Sequence, residues 1–406
     1  MSKRLVHTPE GVRDIYGLEY ARKLKIQELL TEKFVSFGYH NIQTPTFEFF
    51  DVFSKEIGTT PSKELYKFFD KEGNTLVLRP DFTPSMARCG AKYFMDEDIP
   101  VRFTYAGNTF TNTSNLQGKY KEVTQTGVEY IGDGSVEADA ELITLAVQAL
   151  QATGLKEFQI SIGEIDFFKG LCEEAGLDKE TEFEVREQIS MKNYFGVEEI
   201  LTGKQLSKEK IDVFLKVTEL FGSFDSLKEA EELVHNERSQ SACKRLHALY
   251  DLLCMTGAEK YVSFDMGMVS KYNYYTGIIF KAYTYGVGDA ILTGGRYDDL
   301  LSYFGKDSSA IGFMIVVDDL MVALNSQKIN PDIDKDHIML CFDKAQYAKA
   351  LQTATDLRNE GKKIAMHAML SGKTKEDYLS FASANFTDEV WFLQADGAVD
   401  KERIED

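Results

Sequence analysis

The stretch from residue 168 to residue 259 restricts the architecture of this chain more than any other feature. It is rich in Glu and Lys, contains no proline and carries its apolar residues at helical spacing, which predicts helices. Strand-like segments stand on either side of it, EFQISIG at 157–163 and YVSFDMG at 261–267. We therefore expect a helical subdomain that is inserted between strands of a larger domain.

The rest of residues 1–325 favours a mostly antiparallel sheet with flanking helices. One helix is predicted over 20–37, with Gly38 at its C-cap, and another from an N-cap at Ser135 to Gly154. The remaining strand-like segments lie at 39–53, 65–79, 101–110, 123–131, 274–285, 290–301 and 310–317.

A separate pattern begins after Asn330-Pro331. Three strand-like segments alternate there with two helical ones, which predicts a small β-α-β-α-β unit. This unit is acidic, since residues 331–406 contain 10 basic and 15 acidic side chains. We expect two domains, residues 1–325 with the insertion and residues 331–406.

Charge and hydropathy exclude several classes of protein. The chain has 65 acidic and 46 basic residues, a formal net charge of −19, which opposes a large nucleic-acid interface. No segment approaches the roughly 20 apolar residues of a membrane span. The N-terminal MSKRLVHTPEG also lacks the apolar core of a secretory signal. We expect a cytoplasmic protein that binds neither tRNA nor membranes.

Cysteine and histidine spacing gives no sign of a metal site. The five cysteines are scattered without a C-x-x-C pair, which favours buried or partly buried free thiols over a disulfide framework. The six histidines are dispersed, and none pairs with another at i+4. We expect no metal and no cofactor.

Six segments carry a family resemblance because they occur in a fixed order at wide spacing. They are TPEGVRDIY (8–16), GYHNIQTPTFE (38–48), LVLRPDFTPSMARCG (76–90), GKYKEVTQTGVEY (118–130), YYTGIIFKAY (274–283) and LTGGRYDDLL (292–301). Over residues 8–325 the chain resembles the catalytic core of histidyl-tRNA synthetases. The resemblance implies an α+β fold of the class II aminoacyl-tRNA synthetase type, with an antiparallel sheet.

The same resemblance implies a dimer interface at motif 1. In this chain the region includes Pro45, Phe47, Phe49 and Phe50, so it is a candidate for self-dimerisation. Pro45 is typical of a strand near an edge or an interface. The alternative is an ordinary buried strand.

The chain differs from the family at three positions that are important for nucleotide chemistry. Amino-acid activation joins a carboxylate to the α-phosphate of ATP, so a synthetase site must supply fixed positive charge. The three catalytic arginines of the family fall on Thr111, Ser270 and Asp319 here. The resemblance therefore implies that synthetase activity is lost.

Nearby lysines do not restore this charge in an obvious way. Lys271 follows Ser270 and would point to the opposite face of a strand. Lys119 and Lys121 in the motif 2 loop are either phosphate contacts or a solvated basic pair.

The histidine-recognition positions of the family, in contrast, are represented. They correspond to Asp81, Thr83, Gln125, Glu129, Tyr274, Tyr275 and Tyr297, with Asp81 in place of the usual glutamate. Carboxylates accept hydrogen bonds from an ammonium group or an imidazole, and tyrosine rings can cover an imidazole. The alternative is that these residues form only polar cross-strand pairs and aromatic packing.

A synthetase-like core without catalytic arginines, followed by an acidic unit, resembles the histidyl-tRNA synthetase paralogues that serve as regulatory subunits of ATP phosphoribosyltransferase. That resemblance implies a non-catalytic, self-dimerising partner of the short-form catalytic subunit in a hetero-oligomer. It also implies feedback inhibition by histidine of the first step of histidine biosynthesis. The sequence leaves open whether histidine binds the synthetase-like pocket or the subunit interface.

Two other functions compete with this interpretation. The first is an active, histidyl-tRNA synthetase-like enzyme that activates an amino acid with ATP, which the residues Thr111, Ser270 and Asp319 oppose. The second is a tRNA-mimicking or RNA-binding factor, which the net charge of −19 disfavours.

Overall fold

The computed structural model describes residues 6–53, 60–113, 119–270, 274–333, 337–385 and 387–404. Internal contacts group the chain into two compact units, Met1–Arg13 with Ile26–Asn330, and Asp14–Lys25 with Pro331–Asp406. Residues 14–25, expected in the larger domain, fall with the C-terminal residues in this division.

Within the described residues, the larger unit contains a nine-stranded sheet and a three-stranded sheet. Its strands are β1 His40–Asn41, β2 Phe47–Phe49, β3 Lys67–Phe69, β4 Thr75–Leu78, β5 Val101–Phe110, β6 Glu122–Ile131, β7 Phe158–Glu164, β8 Phe221–Gly222, β9 Val262–Asp265, β10 Ile278–Thr284, β11 Leu292–Arg296 and β12 Ala310–Val316. The large sheet has the order β1-β5-β6-β12-β11-β10-β7-β9-β8, and the small one β2-β4-β3. Only β1–β5 and β7–β9 pair in parallel among these described strands, so the predicted, mostly antiparallel sheet is confirmed.

Helices flank the large sheet and fill the insertion. They are α1 Gly17–Ser36, α2 Thr83–Tyr93, α3 Val136–Ala152, α4 Ile165–Ala175, α5 Lys179–Ser190, α6 Tyr194–Gly203, α7 Lys208–Val217, α8 Phe224–Leu233, α9 Glu237–Thr256 and α10 Val317–Ser326. The predicted helix ends are confirmed at two places. Ser135 caps α3 by accepting the Ala138 N–H, and Gly38 follows α1 with a φ of 84°.

The insertion is helical, as predicted, and each of its helices begins at a side chain that accepts a backbone N–H. These capping residues are Glu164, Asp178, Asn193, Ser207, Ser223 and Asn236. The first helix starts at Ile165, three residues before the predicted boundary, because Glu164 caps it there. The two-residue strand β8 was not predicted, since two residues are too few to show an alternating pattern. β7 and β9 flank the insertion and pair with each other, so it leaves and rejoins the sheet at neighbouring strands.

The expected continuous strand over 39–53 is wrong. The structure has two short strands there, β1 in the large sheet and β2 in the small one. Between them the carbonyl oxygens of Thr44 and Pro45 accept hydrogen bonds from Arg79 Nη1, at 3.0 and 3.3 Å. Proline also has no N–H to donate to a neighbouring strand. The carbonyl oxygens of residues 44 and 45 therefore bind a guanidinium group instead of a neighbouring strand.

The C-terminal unit has the predicted β-α-β-α-β order. Its elements are β13 His337–Phe342, α11 Tyr347–Asn359, β14 Lys363–Ala368, α12 Lys375–Ala384, β15 Glu389–Leu393 and β16 Val399–Arg403, with the strand order β14-β13-β15-β16. Successive residues of β13 pack on different helices. Leu340 lies in one hydrophobic cluster with Ala350 of α11, and Cys341 lies in another with Tyr378 of α12. The edge strand β16 was not predicted, because its sequence VDKER is charged and does not alternate between apolar and polar residues. In the structure, Lys401 on this strand lies over the Trp391 ring, with its Nζ 3.7 Å from the ring centre.

All five cysteines are free, as expected from their spacing. Four are buried, whereas Cys254 is exposed, so the expected burial is wrong at that position. No helix in the described ranges is both long and apolar enough to cross a bilayer.

Candidate functional site

A cavity of about 560 Å³ lies on the large sheet of the larger unit. Strands β6, β11 and β12 form its floor, and the loop into α2 and the first turn of α10 contribute to its walls. Six of the seven predicted histidine-recognition residues line it: Asp81, Thr83, Gln125, Tyr274, Tyr275 and Tyr297. The fold thus brings together side chains that are more than 200 residues apart in the sequence, from residue 81 to residue 297.

Glu129, the seventh residue, lies behind the wall of the cavity and joins two of the others. Its carboxylate accepts hydrogen bonds from the Thr83 hydroxyl, at 3.0 Å, and from the Tyr297 hydroxyl. Burial raises the pKa of Glu129 to about 8, although both hydrogen bonds act in the opposite direction. Glu129 therefore keeps its proton to a higher pH than an exposed glutamate does.

Asp81 and Thr83 form the entrance to α2. The Asp81 carboxylate accepts the Thr83 backbone N–H at 3.1 Å, which fixes the turn before the helix. The Thr83 hydroxyl is then directed at Glu129. This turn places two carboxyl groups on the same side of the cavity, and Asp81 contributes to the raised pKa of Glu129.

The three tyrosines form an aromatic corner. The Tyr274 and Tyr275 rings have centroids 4.6 Å apart, and Tyr297 stands edge-on to Tyr274 at 6.1 Å. Gly295 makes room for the Tyr275 ring, because a Cβ on this glycine would lie 2.6 Å from Tyr275 Cε1. The corner offers flat apolar surface beside hydroxyl groups, which suits an imidazole ring.

Gln125 supplies an unsatisfied acceptor. Its side chain lies on β6, is only 7% exposed and lines the cavity. Its Oε1 atom is buried and has no hydrogen-bond partner among the described residues. A buried acceptor without a donor is unfavourable, so a ligand N–H at this point would be stabilising.

The opposite end of the cavity is lined by hydroxyl and acidic side chains. Thr111 and Asp319, two of the positions where the synthetases have arginine, both line it. Burial raises the pKa of Asp319, and the nearby carboxylates of Asp289 and Asp318 raise it further. Asp318 is fixed beside it, since its Oδ2 accepts the Thr124 backbone N–H at 2.7 Å.

Lysines at this end differ in position. Lys119 lines the cavity, but its Nζ forms an ion pair with Asp289 at 2.7 Å. Lys121 packs its side chain against Gly11 and is not part of the described lining. Ser270 is buried and also lies outside this lining, and Lys271 lies outside the described residues. Over the described residues, no cluster of three or more His, Cys, Asp or Glu is arranged to hold a metal ion.

Comparison with known proteins identifies the family of this chain. The sequence profile described as "Histidyl-tRNA synthetase" matches residues 11–320. A protein of Ruminiclostridium cellulolyticum named "ATP phosphoribosyltransferase regulatory subunit" is 42% identical over 375 residues, which cover 92% of this chain and 89% of that protein. A protein of Acetivibrio thermocellus with the same name is 40% identical and covers 94% of this chain and 91% of its own length. The chain belongs to the family of ATP phosphoribosyltransferase regulatory subunits.

Solved structures place this family member in the class II synthetase fold. A crystal structure from Bacillus halodurans, described as an ATP phosphoribosyltransferase regulatory subunit/histidyl-tRNA synthetase, is 32% identical with a TM-score of 0.85. The match covers 96% of this chain and 98% of that one. A histidyl-tRNA synthetase from a Nostoc species is only 17% identical but has a TM-score of 0.79 over 98% and 97% of the two chains, which shows the shared fold. The predicted fold class is confirmed.

Two arginines support the cavity in this regulatory-subunit family member, and sequence reasoning missed both. Arg79 is buried beside the Phe82 ring at 3.9 Å and donates to the Asn108 carbonyl oxygen at 2.8 Å, in addition to its contacts with residues 44 and 45. Its charge is thus used to hold three backbone segments together. The signal was an arginine directly after the apolar segment TLVL, where a solvent-exposed residue would be expected.

Arg296 plays the matching role beneath the tyrosine corner. It follows the glycines of GGRY, and its guanidinium binds the fully buried Asp139. Arg245 binds the other oxygen of the same carboxylate, with its Nε at 2.8 Å. Asp139, in the first turn of α3, thus anchors the end of β11, and Tyr297 is the next residue along the chain.

Proposed function

We propose that this chain is the non-catalytic regulatory subunit of an ATP phosphoribosyltransferase. It assembles in the cytoplasm with a short-form catalytic subunit, supports the first step of histidine biosynthesis and mediates feedback inhibition by histidine. The observation that carries the proposal is the composition of the cavity. One end offers acceptors and tyrosine rings suited to histidine, and the other has Thr111 and Asp319 where nucleotide chemistry needs cations.

The loss of synthetase activity follows from electrostatics. The transition state of amino-acid activation gathers negative charge between a carboxylate and a phosphate, and removal of one stabilising donor typically costs about 3–4 kcal/mol. Lys119 is the one cation in the described lining, and it is paired with Asp289. Asp319 adds repulsion for a phosphate at the same end.

Histidine acts in this proposal by linkage. It binds the cavity through its ammonium and imidazole groups and binds the low-activity state of the complex more tightly than the active state. Couplings of about 1–3 kcal/mol, or roughly 5–150-fold in affinity, are typical of such systems. The Glu129 hydrogen bonds to Thr83 and Tyr297 connect the cavity to α2 and to the residue that follows β11, so they provide a physical route for the response.

The complex also contains a self-dimer formed through the motif 1 region. Phe47 and Phe49 are 52% and 56% exposed on β2 of the small sheet, and Phe69 on β3, the other edge strand of that sheet, is 72% exposed. Exposed aromatic side chains on one sheet are typical of an interaction surface. Their exposure does not fit an ordinary buried strand. The acidic C-terminal unit does not bind tRNA in this proposal, since its 15 acidic residues outnumber its 10 basic ones.

Reconstitution tests the proposal. The chain is mixed with a short-form ATP phosphoribosyltransferase, and phosphoribosyl transfer is measured with and without histidine. We expect turnover to rise strongly in the mixture and to fall as histidine is added. A transferase that ignores the chain would contradict the proposal, and so would robust histidine-dependent exchange of pyrophosphate into ATP by the chain alone.

A further inference from the structure

A second cavity, of about 720 Å³, lies where the helical insertion meets the large sheet. Its walls come from the end of β7, α4, the first half of α9, the residues before β10 and the end of β11, and we call it the insertion cavity. Arg296 and Asp298 line it, whereas Gly295 and Tyr297 line the candidate histidine cavity. Successive residues of an extended chain point in opposite directions, so the two cavities lie on opposite sides of this segment.

We infer that the insertion cavity is a separate binding site for a small organic cation that carries primary ammonium groups, with an aliphatic diamine as the best-fitting class. The inference uses none of the residues assigned to histidine. It therefore stands or falls independently of the proposed function.

Glu164 is the buried acidic group of the insertion cavity. Its side chain is only 4% exposed, and its Oε1 accepts the Asp166 backbone N–H at 3.3 Å. Its Oε2 is buried and has no hydrogen-bond partner among the described residues. A buried acceptor without a donor is unfavourable, and an ammonium group has three N–H donors to offer.

Acidic side chains outnumber arginines around the insertion cavity. Five acidic side chains and three arginines belong to its described lining: Glu164, Asp166, Glu173, Glu237 and Asp298, with Arg238, Arg245 and Arg296. Arg238 binds Asp166 and Glu173. Arg245 and Arg296 share Asp139, which lies outside the lining. Because each arginine already binds a carboxylate, the excess acidic groups attract a cation and repel an anion.

The distribution of the carboxyl groups favours an organic cation over a metal ion. Over the described residues, no three His, Cys, Asp or Glu side chains are arranged to hold a metal. Glu164 is buried, whereas Glu173 is 62% exposed and Glu237 is also exposed. A diamine can place one ammonium group at the buried carboxyl and the other among the exposed ones, which a single compact ion cannot do.

Binding of an ammonium group at Glu164 should release a proton. Burial raises the pKa of Glu164 to about 8, and the charges of Asp166 and Asp139 raise it as well, while the Asp166 backbone N–H and Arg245 act in the opposite direction. Cys243 on α9 also lies within electrostatic reach, but its pKa is raised to about 12, so it stays a neutral thiol. At pH 7 the free site therefore holds a proton that the ligand displaces.

This displacement fixes the sign of the pH dependence. An aliphatic ammonium group keeps its own proton up to a pKa of about 10, so the ligand stays charged while Glu164 ionises. The affinity should therefore rise between pH 6 and pH 8, by up to about tenfold for each pH unit.

Calorimetric titration of the full chain with 1,4-diaminobutane tests the inference, and 1,4-butanediol is the uncharged comparator of the same length. Titration at pH 7 in two buffers with different ionisation enthalpies counts the protons released. We expect the diamine to bind with release of most of one proton, and the diol to bind at least tenfold more weakly. No binding of the diamine, or binding without proton release, would overturn the inference and leave the proposed function untouched.

Glu164→Gln keeps the shape of the side chain and removes its charge. We expect this variant to bind the diamine at least tenfold more weakly and without proton release. Glu209→Gln, the same substitution at an exposed position on α7, is the matched control and should bind like the parent chain. Equal affinities for the parent chain and Glu164→Gln would overturn the inference, because they would reflect only the general attraction of a chain with a net charge of −19 for cations. The proton count uses the parent chain alone, so it tests the inference even if Glu164→Gln fails to fold.

Discussion

Gly312 and Glu129 are register partners on β12 and β6. The Glu129 carboxyl occupies the space that a side chain at position 312 would need. A Cβ placed on Gly312 would overlap Glu129 Oε2 and would lie 2.6 Å from the Val128 carbonyl oxygen. The missing side chain lets the carboxyl lie close to the sheet, where Thr83 and Tyr297 reach it. The position of the central carboxyl group of the cavity thus depends on a residue that makes no polar contact with it.

Gly312→Ala should weaken histidine binding at least tenfold. The added methyl group displaces the Glu129 carboxyl and breaks its hydrogen bonds to Thr83 and Tyr297, each of which is worth about 0.5–1.5 kcal/mol. The measurement is isothermal titration with histidine.

Gly203→Ala is the control for this glycine. No atom lies within 4 Å of a Cβ built at Gly203 on α6, and its φ is not positive. Alanine is also the better helix former, so this variant should bind histidine like the parent chain. Equal affinities for the Gly312 and Gly203 variants would show that the Glu129 position is not important for binding.

Glu129 should make the protein less stable as the pH rises. The folded chain holds the Glu129 proton up to a pKa of about 8, whereas the unfolded chain releases it near 4.5. Between these values the folded state binds the extra proton, so the free energy of unfolding falls by up to about 1.4 kcal/mol for each pH unit. Glu164 has a pKa raised to about 8 by burial and contributes with the same sign.

Urea unfolding at several pH values between about 5 and 8 tests this slope. In Glu129→Gln the group no longer titrates, so the decline should be shallower, and Glu164 contributes to the part that remains. Parallel curves for the parent and the variant would mean that Glu129 is ionised in the folded protein throughout this range.

Asp139 should be one of the most sensitive positions for stability. Its fully buried carboxylate binds both Arg296 and Arg245. Asp139→Asn removes the carboxylate that Arg296 and Arg245 share and leaves the buried Arg296 guanidinium with Asp298 as its remaining acidic partner. Breaking a buried pair in this way costs about 3–5 kcal/mol. Asp225→Asn removes an exposed ion pair with Lys228 and should cost no more than about 1 kcal/mol. Chemical denaturation of the two variants measures the difference, and similar values would contradict a structural role for the buried cluster.

Local signals in the sequence predicted most of the helices and strands correctly. Ser135 and Gly38 mark helix ends through capping and left-handed backbone, which depend on one or two neighbouring residues. The long strands β5 and β6 were visible because each is a ten-residue segment rich in β-branched and aromatic residues. The break after β1 was not visible, because it depends on Arg79, which is more than thirty residues away from Thr44.

The candidate site likewise combines features that the sequence predicts with features that depend on long-range contacts. The family resemblance named the seven side chains around the cavity, and the structure brings them together. Their arrangement depends on contacts between distant strands: the space at Gly312 for Glu129, the space at Gly295 for Tyr275, and the Asp139 anchor of Arg296. Such contacts are properties of the packed sheet and leave no periodic signal in the sequence.

The histidine inhibition curve of the reconstituted transferase tests the central claim most directly. It is measured for complexes with the parent chain and with Glu129→Gln, each normalised to its own rate without histidine. The account predicts that histidine inhibits the parent complex and that the Glu129→Gln complex needs at least about tenfold more histidine for the same inhibition. A parent complex that histidine does not inhibit, or two curves that coincide, would contradict the claim that this cavity is the effector site.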